Sequence, residues 1–261
     1  MGLGMRGVVW SPQTDVLASD HRLITFDNRG IGGSETAPGE WTMADMAGDA
    51  LRVLDAAGWT SAHVVGVSMG GMIAQELALR APERLRSLTL IATHAGGRTG
   101  WVPPFSGIIS FLEVNLLPAD QRFKALAHLL YPRDFLRLID RDELAARMGQ
   151  QVGSRASAAT RNKQIKAVMR HDTRARLVRL ETPTMVIISA EDKLVDPRRQ
   201  YALAEAIPNA SKVVFDRAGH GVIFQCARVI NGHIARHVAA HEPLQAGEED
   251  HERVEAISGE T

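Results

Sequence analysis

Hydrophobic and polar positions follow two distinct rhythms along this chain. Short apolar runs rich in Val and Ile recur from Arg22 to Asp27, Ala62 to Val67, Ser87 to Thr93, Thr184 to Ser189 and Ser211 to Asp216. Each is close to continuous rather than alternating, the pattern of a strand covered on both faces. Between them lie helical patterns: MADMAGDALRVLDAAG, GMIAQELALRAPERL, PRRQYALAEAIP and the stretch from Val222 to Ala239. This succession predicts an α/β fold, a mostly parallel sheet flanked by helices. From Ala95 to about Glu181 the succession stops, and short helices broken at Pro103-Pro104, Pro118 and Pro132 are expected instead. The expected organisation is a core of residues 1–94 and 182–238, an inserted helical lid of 95–181, and an acidic tail of 239–261. That tail holds too few large apolar side chains to offset the entropy of ordering.

Composition narrows the classes of partner. Lys plus Arg and Asp plus Glu both total 30, so the formal net charge is zero and no overall field draws the chain to nucleic acid or an anionic membrane. A small neutral or weakly polar substrate fits better. One cysteine, Cys226, excludes an internal disulfide and suits a reducing compartment, and no run approaches a signal peptide or membrane helix, so a cytoplasmic protein is expected. The sequence says nothing of oligomeric state.

Candidate chemistry sits at the ends of the predicted strands. Gly66-Val67-Ser68-Met69-Gly70 has the form G-x-S-x-G, a pattern weak alone but directly preceded here by a strand and followed by a helix. In such a turn the Ser68 hydroxyl is exposed above the sheet, and small Gly66 and Gly70 relieve crowding around strained backbone. The bland alternative is a serine that caps the helix. Asp216-Arg217-Ala218-Gly219-His220-Gly221 follows the last strand, where flanking glycines let the loop turn tightly and leave the imidazole free. A histidine acting as base needs a carboxylate on its other nitrogen. Asp192, just past the strand Thr184 to Ser189, is the choice; Asp196 is second, because it abuts Pro197 and suits a helix cap.

With Phe26-Asp27-Asn28-Arg29-Gly30-Ile31-Gly32-Gly33-Ser34, the Val65 to Gly71 turn, the Pro183 to Val195 strand and Ala218-Gly219-His220-Gly221, the chain resembles the α/β-hydrolase superfamily. The likeness is to its small esterase, lactonase and cofactor-free perhydrolase branch. The resemblance implies a serine hydrolase acting on a small carboxylic ester or lactone through an acyl-enzyme, with Ser68, Asp192 and His220 as triad and no cofactor or metal. It implies an oxyanion hole formed by the backbone N–H groups of Met69 and Leu3, the latter in Gly2-Leu3-Gly4. Asp27 and Arg29 are expected to shape a nearby loop. His94, Trp101 and Phe105 are candidate pocket residues, although Trp101, Phe105, Ile108, Ile109, Phe111 and Leu112 could equally be how the lid packs. The resemblance also implies an N-terminally truncated chain, with about 25 residues of strand missing before Met1. Either Arg22 to Asp27 then shifts to pair with Ala62 to Val67, or the native protein starts upstream. The rival class is a non-catalytic small-molecule binder on the same fold.

Overall fold

The computed structural model describes residues 1–104, 106–107, 119–152 and 156–242. Its described residues hold a four-stranded parallel sheet, β1 (Ala62–Val67), β2 (Leu85–Ile91), β3 (Thr184–Ser189) and β4 (Ser211–Phe215), in the spatial order β1-β2-β3-β4. Successive side chains point to opposite faces of a strand, so Leu88, Leu90, Val186 and Ile188 join one buried cluster while Ile91, Met185 and Ile187 join another. The first cluster is closed by α2 (Met43–Ala56) and α3 (Met69–Arg80), the second by α10 (Ala227–Ala239), which supplies Ile230, Ile234 and Val238. Every residue of β3 is buried, which explains a run with no polar alternation.

Two short helices were not anticipated as such. One is α1 (Ser11–Leu17), which begins with Pro12 at its first turn. The other arises because the helix expected from Val222 to Ala239 is divided at Cys226 into α9 (Val222–Gln225) and α10. The Cys226 thiol is half-buried, and burial raises its pKa.

The expected strand at Arg22 to Asp27 is not formed. Those residues run as irregular backbone, Leu23 and Ile24 are 41% and 37% exposed, and among the described residues β1 pairs with β2 alone. A β-prone run becomes a strand only where a neighbour supplies ladder hydrogen bonds. Here the segment is held instead by the Asp27 carboxylate, which accepts the Gly7 N–H at 2.6 Å.

Between β2 and β3 the described residues form α4 (Ala119–Leu130), α5 (Arg133–Leu138), α6 (Arg141–Val152) and α7 (Ala158–Arg170). The chain leaves and rejoins the sheet through one neck: Gly96 bridges Asp172, Gly97 N–H donates to the His171 carbonyl (3.0 Å), and Thr173 N–H donates to the Ala95 carbonyl (2.9 Å). Ile108, Ile109, Phe111, Leu112 and Pro118 lie outside the described residues, as do residues 243–261 of the expected tail.

Candidate active site

In a parallel sheet all strands end at one edge, so the turns after β1, β3 and β4 share a rim, and they carry Ser68, Asp192 and His220 respectively. Ser68 is the first element of that rim. Its backbone sits at φ 54°, ψ −122°, a conformation that residues with a side chain rarely adopt. It makes no side-chain capping bond to α3, so the capping alternative does not describe it. The strained turn is held from all sides. Ser68 N–H donates to the Ile91 carbonyl (2.9 Å), and the Ser68 carbonyl accepts from Gly71 N–H (2.9 Å) and the Thr93 hydroxyl (2.7 Å). A methyl group on Gly66 would land on the Gly70 carbonyl, so strand and helix approach this closely only with glycine.

Met69 opens α3, so its N–H faces the Ser68 end of the helix with no carbonyl of a preceding turn to receive it. The segment Gly2 to Met5 closes a turn through Met5 N–H to the Gly2 carbonyl (3.2 Å), with Gly4 at φ +69°. This turn lies against the Ser68 turn, because a Cβ built on Gly2 would sit 3.6 Å from Ser68 Cβ. Leu3 packs its side chain on the first core cluster.

Asp192 and His220 are in direct contact. The Asp192 side chain is fully enclosed, and its Oδ2 lies 2.7 Å from His220 Nδ1. Three further donors converge on the same carboxylate: Leu194 N–H and Val195 N–H on Oδ1 (2.8 and 2.9 Å), and the Gln200 amide on Oδ2 (3.0 Å). A carboxylate can only accept, so this contact places the imidazole hydrogen on Nδ1 and leaves the Nε2 lone pair free to take a proton. Gln200 is fully buried and locked in turn, its Oε1 accepting the Ser189 N–H (3.0 Å). Asp196, the other candidate, caps α8 (Pro197–Ala206) by accepting Arg198 N–H (2.9 Å) and pairs with the Arg198 guanidinium (2.7 Å).

The glycines beside His220 serve a purpose different from the tight turn expected of them. A Cβ on Gly219 would strike the Leu130 carbonyl and one on Gly221 would strike the Tyr131 ring. Gly221 N–H also donates to the Leu130 carbonyl (2.9 Å), so the end of α4 rests on the histidine loop. Tyr131, Phe135 and Phe224 form an aromatic group there, with ring centroids 5.3 to 6.1 Å apart.

A family model described as alpha/beta hydrolase fold matches residues 2–225. The chain belongs to the α/β-hydrolase fold family. It is 33% identical over 228 residues to the protein named "Putative carbamate hydrolase RutD" from Azorhizobium caulinodans, covering 84% of this chain and 82% of that one. Among solved structures it is similar to a hydrolase from Pseudomonas aeruginosa PA01 (27% identity, TM-score 0.72, 91% of this chain and 87% of that one). It also shares its fold with the enol-lactonase from Burkholderia xenovorans LB400 (23% identity, TM-score 0.75, 91% and 88% covered).

Around this α/β-hydrolase rim, the remaining expected residues divide. Asp27 and Arg29 are structural as expected: Arg29 pairs with Asp49 (2.6 Å) and lies over the Trp41 ring (5.8 Å). Trp101 is 43% exposed, and Phe105 lies outside the described residues. His94 is buried, and its Nδ1 accepts the Gly96 N–H (2.9 Å). Sequence reasoning missed Thr93, Gln200 and the buried chain in which Thr173 Oγ1 donates to Gln75 Oε1 (2.6 Å) and Gln75 Nε2 to the His94 carbonyl (3.1 Å). No spacing signal distinguishes such residues before they are folded together.

Burial holds His94 down to about 3 and His171 to about 4, with His171 and Arg199 adding to the effect on His94, and Arg176 to that on His171. Both histidines titrate near their ordinary 6.5 when unfolded, so between that value and the folded ones the unfolded chain binds more protons. Stability is therefore complete above neutrality and lost as pH falls from about 6.5 toward 4, each histidine contributing a loss of about 2 kcal/mol by pH 5. Thermal melts at pH 7 and pH 5 test this. Replacing either residue with glutamine is expected to flatten the dependence, and an unchanged slope in both variants refutes it.

Proposed function

We propose that the protein is a serine hydrolase cleaving small carboxylic esters or lactones through an acyl-enzyme. The observation that carries this reading is Ser68 itself: a strained serine, free of any capping role, on the rim that also holds the Asp192–His220 pair. In the proposed cycle His220 Nε2 removes the hydroxyl proton as Ser68 Oγ attacks the carbonyl carbon. The resulting oxyanion is met by the N–H groups of Met69 and Leu3 and by the N-terminal end of α3. The imidazolium, held by Asp192, then protonates the leaving alkoxide. Water, deprotonated by the same nitrogen, attacks the acyl carbon and releases the acid with Ser68 restored. In this reading α4 to α7 act as a cap over the core of residues 1–94 and 182–238.

The likeness to RutD favours one further substrate class, because a carbamate carbonyl is open to the same attack. A fluorophosphonate probe tests the chemistry itself. Labelling of Ser68, located by peptide mass and lost in Ser68→Ala, is expected. A folded protein that stays unlabelled would be a non-catalytic binder instead. Comparing kcat/KM on p-nitrophenyl acetate, γ-butyrolactone and a p-nitrophenyl carbamate then ranks the substrate classes.

A further inference from the structure

The geometry points to Gln164 as a positioning residue that makes the oxyanion site depend on the seating of α7. This rests on the reading of the Leu3 N–H as an oxyanion donor. Gln164 lies on the inserted segment, far from the elbow in sequence, yet its Oε1 accepts the Gly4 N–H at 2.8 Å. The side chain is fully buried, and among the described residues its buried Nε2 has no hydrogen-bond partner. An N–H can only donate, so the amide orientation is fixed by Gly4 and the oxygen must face the loop. An unpaired buried amide nitrogen is unfavourable, and an apolar side chain of similar shape would avoid that cost. What the glutamine supplies in exchange is a rigid anchor for the residue next to Leu3.

The neighbouring contacts fit this role. Leu3 packs on the same core cluster to which Ala167 and Val168 of α7 belong, while Gln164 holds the backbone of this loop. The helix is itself docked on the opposite loop: Lys163 Nζ donates to the Ala37 carbonyl (2.9 Å), Glu40 pairs with Lys166 and Arg170, and a Cβ on Gly30 would meet Thr160 Oγ1 at 2.8 Å. The seat of α7 is therefore set by one loop and read out on the other. A displacement of the donor by about 1 Å suffices to lower turnover by about 100-fold.

The test compares Gln164→Met, which keeps the shape and loses the acceptor, with Gln164→Glu, which keeps an acceptor at the same atom. For p-nitrophenyl acetate, Gln164→Met is expected to lower kcat by about 10- to 100-fold with KM within about twofold. Affinity for phenylboronic acid, whose tetrahedral adduct places an oxygen in the same hole, should fall by a similar factor. Gln164→Glu should stay within about threefold of the parent in both, because the nitrogen it replaces has no partner. Lys163→Met, which loosens the seat of the same helix on the opposite loop, should lower both in the same direction by a smaller factor, about twofold or more. The inference is overturned if Gln164→Met keeps parental kcat, if its kcat falls without a loss of boronate affinity, or if Lys163→Met leaves both at parental values. Should Gln164→Met fail to fold, Gln164→Leu takes its place under the same expectations, and parental kcat in it overturns the role. A Ser68→Ala variant that still hydrolyses the ester would instead overturn the underlying site.

Discussion

Ser68→Gly is expected to abolish hydrolysis and to raise the melting temperature. The two effects have one cause. At φ 54° and ψ −122° the serine occupies backbone that glycine reaches freely, and such strain costs about 1–3 kcal/mol. Glycine's extra unfolded-state entropy returns roughly 0.5–1 kcal/mol of that. The net gain, about 1 kcal/mol, corresponds to roughly 2–4 °C in a chain of this size. Turnover of an ester should fall by about 10⁵-fold or more, since the proposed nucleophile is gone. Calorimetry and an ester assay on the same preparation check both halves. A lower melting temperature would show that the turn is not strained, and residual turnover above about 1% would show that Ser68 is not the nucleophile.

Exchanging the two neighbouring acids for their amides should separate them by orders of magnitude. Asp192→Asn replaces an acceptor ringed by four donors with a group that is itself partly a donor. An Asn amide nitrogen facing His220 would reverse the tautomer and place the hydrogen on Nε2, where it blocks proton removal. A loss of about 10⁴-fold in kcat is expected at neutral pH. Asp196→Asn should keep parental kcat, because Asp196 serves α8 and Arg198, and should lower stability by about 1 kcal/mol at most. Equal losses in the two variants would refute the assignment of Asp192.

Much of this arrangement was legible because local pattern and tertiary role coincide. The strands at Ala62–Val67 and Thr184–Ser189 have the bounds expected from their apolar runs, since both are covered on two faces over their buried ends. The G-x-S-x-G turn was informative because strand, serine and helix are contiguous. Asp192 was separable from Asp196 because a residue before Pro197 is suited to capping. What failed had non-local causes. Arg22 to Asp27 carries strand chemistry, but pairing is a property of two segments and the second is not beside it. The glycines at 219 and 221 were legible as unusual, whereas their reason, the close approach of α4, depends on residues some ninety positions earlier in the chain. Gln164 and Gln200 are ordinary helical residues until folding brings Gly4 and Asp192 to them.

The neck at Gly96 and Asp172 has an evolutionary consequence. Because departing and returning backbone are stitched side by side, whatever lies between them can be lengthened, shortened or exchanged without altering where the flanking strands begin and end. Under the proposed function, substitutions that accumulate beyond the stitch would diversify which molecules are admitted, while the rim of Ser68, Asp192 and His220 beneath is left in place.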